Sequence, residues 1–207
     1  MKCSKYILFI LISILSSEKL SALPAVFVKE LVNSSKFDAR NDVWKIENKL
    51  TEWLVEELSS TGKYKVIREK LACKNRALGS KNCLIEGKVT EFDLGAAALD
   101  AYCFEYMNYY AKVKIELECS YYLSDGTKTF TVIGSGEDKN QKIRPFYSHL
   151  VPKKDDQSNE MVTDFKTRNQ VKWGDSSFNT SVVGKSCRQA IMELVNDFNL
   201  LESNFVR

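Results

Sequence analysis

The sequence predicts an α/β (α+β) domain: a single mixed β-sheet with amphipathic helices packed on it. Three observations carry that expectation. From Val113 to Leu123 apolar and polar residues alternate without a break, the period of a strand with one buried and one wet face. Two stretches, Val43 to Leu58 and Val183 to Phe198, place apolar residues three and four apart, as helices with one apolar stripe do. The remaining apolar runs are short, giving the order β-α-β, a further strand, a hairpin and a last helix.

The start of the chain reads as a targeting signal. Lys2 and Lys5 precede the apolar run Tyr6–Leu15, and Leu20-Ser21-Ala22 offers a cleavage site after Ala22. That run is about as long as a signal core and short of the roughly 20 residues that span a bilayer. A retained anchor helix is the alternative. Cys3 precedes the apolar run, so lipidation of the kind that places a Cys after it is not expected. The expected mature chain is residues 23–207, one domain with a long irregular insertion at about 137–180.

Ala25-Val26-Phe27-Val28, with Leu31 and Val32, reads as a first strand buried on both faces. Asn41 or Asp42 is expected to cap a helix whose stripe is Val43, Ile46, Leu50, Trp53, Leu54 and Leu58, ending at Gly62. Tyr64–Arg68 is a second strand and Leu84–Phe92 a third, in which Gly87 implies close approach of a neighbour. Gly95–Tyr110 fits no standard pattern. The long strand Val113–Leu123 then turns at Ser124-Asp125-Gly126-Thr127, where Asp-Gly tolerates positive φ. A partner strand, Lys128 to Gly136, completes a hairpin. From Glu137 to Thr180 no period holds, and stretches of this length are functional or disordered. Val183, Cys187, Ala190, Ile191, Leu194, Val195 and Phe198 mark the closing helix, begun near Thr180 or Ser181.

Composition excludes several classes. The 207 residues are 44% hydrophobic and 28% charged, as in ordinary globular domains, and the net charge of +3 comes without a basic run. Nucleic acid is therefore not an expected partner. Loss of residues 1–22 would leave Cys73, Cys83, Cys103, Cys119 and Cys187. In an oxidising compartment Cys73 with Cys83 is the first pair to expect, and Cys119 falls on the apolar strand face. No Cys-x-x-Cys or Cys/His cluster suggests zinc, and no other cofactor is implied.

Catalytic signals are thin. His149 is the lone histidine, without a fixed Ser or Cys partner, and reads as a surface residue; a hydrolase built on it is the enzymatic alternative. Gly134-Ser135-Gly136 lacks the Lys of a phosphate loop and reads as a twist at a strand end. Asp155-Asp156 lacks the spaced oxygens of a calcium loop. The aromatic residues Tyr102, Phe104, Tyr106, Tyr109 and Tyr110 have two readings: part of a strand or core, or a partner surface, where Tyr is enriched.

Several pieces, in order, resemble the curli secretion channel (CsgG) family and its periplasmic relatives, among them lipoprotein activators of penicillin-binding proteins. These are Ala25-Val26-Phe27-Val28, Leu50–Val66, Leu84–Val89, Val113–Gly126 and Gly184–Leu194, together spanning Ala25 to Leu200. The resemblance implies a non-enzymatic envelope protein with a fold like an anticodon-binding domain, periplasmic or associated with an outer membrane. It implies envelope-protein partners in assembly or transport, and self-association. Channel-forming members contribute two hairpin segments to a barrel; the corresponding segments here are Gly95–Tyr110 and Glu137–Thr180. The first has the apolar and tyrosine content of a membrane strand, whereas the second is crowded with Lys142, Arg144, Lys153, Lys154, Asp155 and Asp156. A pore subunit is thus the second reading.

Overall fold

A computed structural model describes residues 23–37, 45–69, 82–101, 104–123, 126–145 and 173–205. One mixed, open sheet of six strands carries helices on one face. The strands are β1 (Ala25–Lys29), β2 (Val32–Asn33), β3 (Lys65–Glu69), β4 (Cys83–Ala101), β5 (Phe104–Leu123) and β6 (Gly126–Pro145). The helices are α1 (Ile46–Ser60), α2 (Ser176–Thr180) and α3 (Val182–Phe205). Strand order is β3-β1-β4-β5-β6, with β2 paired to β4. β1 runs parallel to β3 and β4, while β4, β5 and β6 are antiparallel neighbours.

The core lies between the sheet and the helices α1 and α3. β1 sends Val26 and Val28 into it, β4 sends Ile85 and Val89, β5 sends Val113, Ile115, Leu117 and Cys119, and β6 sends Phe130 and Val132. Ile46, Leu50, Leu54 and Leu58 of α1 meet them, as do Val183, Cys187, Ala190, Ile191, Leu194 and Phe198 of α3. The described residues of both stripes thus form the faces that their spacing predicts, with Trp53 partly buried and Val43 outside the described residues. Trp53 and Trp173 lie 5.3 Å apart between ring centroids, their planes tilted by 57°, and Phe178 lies 4.4 Å from Trp173.

The boundaries follow local chemistry. α1 begins at Ile46 after Lys45, whose backbone is left-handed; the expected cap residues Asn41 and Asp42 lie outside the described residues. The helix terminates before Gly62, at φ +66°, the left-handed conformation that glycine adopts without a Cβ penalty. Ser181 opens α3: its hydroxyl accepts the Gly184 amide at 3.1 Å, occupying one of the unpaired first-turn donors. β5 and β6 close on one another at Leu123 and Gly126. Ser124 and Asp125 of the expected turn lie outside the described residues, and Gly126 has φ +137°.

Two sequence expectations are corrected. The unpatterned stretch from Gly95 is strand: β4 runs on to Ala101 and β5 begins at Phe104. β6 likewise continues to Pro145, past Glu137 where the alternation was lost. Small residues such as Ala96-Ala97-Ala98 have low strand propensity, so only the pairing across strands specifies them.

Candidate interaction surface

Three strands of 19, 20 and 20 residues form a ribbon on which everything else is mounted. At 3.3 Å per residue it is about 65 Å long. Its first half is the middle of the sheet. A register shift between Val89 and Glu91 marks where β4 leaves its parallel neighbours and goes on with β5 alone. From there β4 lies at an open edge among the described residues.

Glycines hold the ribbon to its neighbours. A Cβ on Gly134 would stand 2.2 Å from the Ala190 carbonyl oxygen, and one on Gly136 would stand 1.9 Å from that of Ser186. Gly134 and Gly136 are therefore the landing site of α3 in mid-strand, not a twist at a strand end. Ser186 completes the contact by donating from its hydroxyl to Val182 O at 2.8 Å, within reach of Ala111 O at 3.0 Å. Gly87 does the same for side chains: a Cβ there would meet Leu117 at 2.5 Å and Leu31 at 2.7 Å.

Beyond the point where Lys185 of α3 faces Asp138 at 3.9 Å, the ribbon continues. Here Tyr110 pairs with Gly95 on one side and Lys139 on the other. Tyr109 pairs with Ala96 and Asn140, Tyr106 with Leu99 and Ile143, and Phe104 with Ala101 and Pro145. Strand alternation puts positions 104, 106 and 110 on one face of the ribbon and 109 on the other. Of the predicted aromatic cluster, Phe104, Tyr106, Tyr109 and Tyr110 thus belong to one strand, β5. Tyr102 lies outside the described residues.

The sheet face away from the helices is charged. Lys29 pairs with Glu86, and Lys88 with Glu116 at 3.0 Å. Lys139 pairs with Glu137 at 2.6 Å, with Lys112 at 3.9 Å from the same carboxylate. The hydrogen bond that Lys29 donates to Glu86 raises its ammonium above the ordinary range, and the one from Lys139 holds Glu137 below its own. An open groove of about 400 Å³ crosses this face between Val32 and Thr131, with Glu86, Lys88, Glu116 and Glu118 along it.

The described cysteines lie in the core, not on this surface. Cys83, Cys119 and Cys187 are buried thiols, and Cys73, the expected partner of Cys83, lies outside the described residues. Cys83 stands opposite Tyr121 and Cys119 opposite Ile85, so the two thiols meet diagonally across β4 and β5. The Cys119 thiol is pushed up by its hydrogen bond with Cys83 and by burial; burial alone does this to Cys187. His149 is outside the described residues as well. Among the described residues, no three of His, Cys, Asp and Glu gather closely enough to hold a metal ion. No described helix is long and apolar enough to cross a membrane, which says nothing of strands.

The chain matches no protein-family model and no curated protein. Among solved structures it is similar to the hypothetical protein CT253 from Chlamydia trachomatis, at a TM-score of 0.50 and 8% identity, over 88% of this chain and 97% of that one. A neuraminyllactose-binding hemagglutinin homologue from Helicobacter pylori gives 0.46 and 12%, over 88% and 87%. The lipoprotein GNA1162 from Neisseria meningitidis gives 0.34 and 12%, over 56% and 84%. At such identities the likeness is one of fold.

Proposed function

We propose that the chain is a non-enzymatic, exported protein of the cell envelope, an interaction module in assembly or transport of the curli-secretion type. The observation that carries this is the ribbon. A sheet that served only to bury a core would end with its helices, yet β4, β5 and β6 run past the Lys185–Asp138 contact. That overhang bears the tyrosine-rich strand, and tyrosine supplies contact area at partner surfaces. The amino-terminal signal pattern supports export.

Affinity capture from envelope extract tests the reading. The full-length chain is expected to retain a specific protein that a Tyr106→Ala/Tyr110→Ala variant loses while its unfolding transition persists. Equal capture by both would count against the ribbon as the binding surface.

A second reading, a subunit of an oligomeric outer-membrane pore, is favoured by the continuous strands through 95–101 and 104–110. It requires a detergent-dependent assembly, and a monomer with and without detergent would remove it.

A further inference from the structure

The outer edge of β6 is a second interaction surface. Among the described residues no strand pairs with it. Its first half, Thr127 to Ser135, combines β-branched residues with a single charge, Lys128, and contains no Pro. An unpaired edge of this composition is a template for another strand. Among the described residues the edge is closed at Ser135: its amide donates to Glu193 of α3 at 2.7 Å, and its hydroxyl does so at 3.0 Å. That bond shows that odd-numbered residues aim their backbone groups outward. Thr127, Thr129, Thr131 and Ile133 are exposed in the same alternation. Ile133, a large apolar residue 45% exposed, lies on this edge strand.

The geometry points to a second copy of this chain as the occupant, paired antiparallel through β6 about a twofold axis at Thr131. The argument is charge complementarity. Centred on Thr131, the pairing sets Thr129 against Ile133 of the partner copy, and Lys128 against Gly134. The Lys128 side chain lies on the helix side of the sheet, since it shares the parity of buried Phe130 and Val132. Glu193 reaches from α3 to Ser135 of its own strand, next to Gly134, and in this register its carboxylate stands beside the partner copy's Lys128. Each lysine thus meets a carboxylate, twice by symmetry. The ladder gains about six backbone hydrogen bonds before Glu193 closes it at Ser135. Isologous pairing of this kind is self-limiting, unlike open edge addition.

Sedimentation equilibrium of the full-length chain over a wide concentration range, with Lys128→Glu and Lys128→Glu/Glu193→Lys variants, tests this. The expected result is a dimer whose dissociation constant rises about tenfold or more in Lys128→Glu and recovers in the double variant. Dimerisation untouched by either change would overturn the proposal, because association would then come from elsewhere, such as the apolar amino-terminal run. A monomer at every concentration would overturn it too. In that case slow amide exchange at Thr129, Thr131 and Ile133 would show residues 146–172 of the same chain covering the edge. Capture of a foreign protein by a monomeric β6 edge would overturn it likewise.

Discussion

The phenol ring of Tyr110 lies across the backbone of Gly95, the residue directly opposite it in the β4–β5 ladder. A Cβ built on Gly95 would stand 2.0 Å from the ring carbon Cζ. Gly in a strand leaves the ladder without side-chain cover, and an aromatic folded over it restores that cover. The pair sits next to the Ala111–Asp138 step, where Lys185 of α3 makes its contact, so it stiffens the root of the overhanging ribbon.

Tyr110→Ala is therefore expected to speed amide exchange from Asp93 to Ala97 while barely changing global stability, by about 0.5–1 kcal/mol. Exchange measured residue by residue checks this. Unchanged protection in that stretch would mean that the ring contributes nothing to the ribbon's root.

Gly136→Val is expected to be far more damaging. Its Cβ would meet the main-chain oxygen of Ser186, which cannot move without shifting α3. A loss of about 3 kcal/mol is expected, the upper range for overpacking. Val at Gly62, where nothing lies within 4 Å, is strained only by its positive φ and should cost less. Urea denaturation of the two variants gives the comparison.

Ser186→Ala should cost about 1 kcal/mol. It removes a buried hydroxyl that bonds within α3 to Val182 and approaches Ala111 on β5. A Cys at this position keeps a weak donor and is expected to fall between the two in thermal unfolding.

Burial makes stability depend on alkaline pH. The Cys187 thiol and the Tyr64 and Tyr121 phenols are all raised by burial in the folded chain. Groups whose folded pKa is raised stay protonated while the unfolded chain ionises. Their contribution is complete below the unfolded values, about 8.5 for Cys and 10 for Tyr, and is lost as pH rises beyond them. Stability should therefore be flat with respect to these groups from pH 7 to 8 and fall progressively above. The thiols of Cys83, Cys119 and Cys187 should resist alkylation at pH 8 until urea is added. Rapid alkylation of the native chain at any of the three would contradict the packing described.

The domain's middle was legible in the sequence because burial there is one-sided. Val113, Ile115, Leu117 and Cys119 announce a face, and Leu50, Leu54 and Leu58 announce a stripe. Gly87 was legible too, since a glycine amid strand residues has few other reasons to be there. The overhang was not. Gly95 to Ala98 and Lys139 to Arg144 have neither period nor propensity; partners far along the chain specify them. The GSG of β6 was misplaced for a related reason. Its meaning depends on Ser186 and Ala190, some fifty residues downstream, and no local pattern carries that distance.

Site-specific photo-crosslinking in cells that express the full-length chain tests the central claim most directly. A crosslinker replacing Tyr106 on the overhanging ribbon is compared with one replacing Asn204 at the far end of α3. The account predicts a discrete adduct with an envelope protein from position 106 and none from position 204. Adducts from 204 alone, or none from any ribbon position, would contradict it.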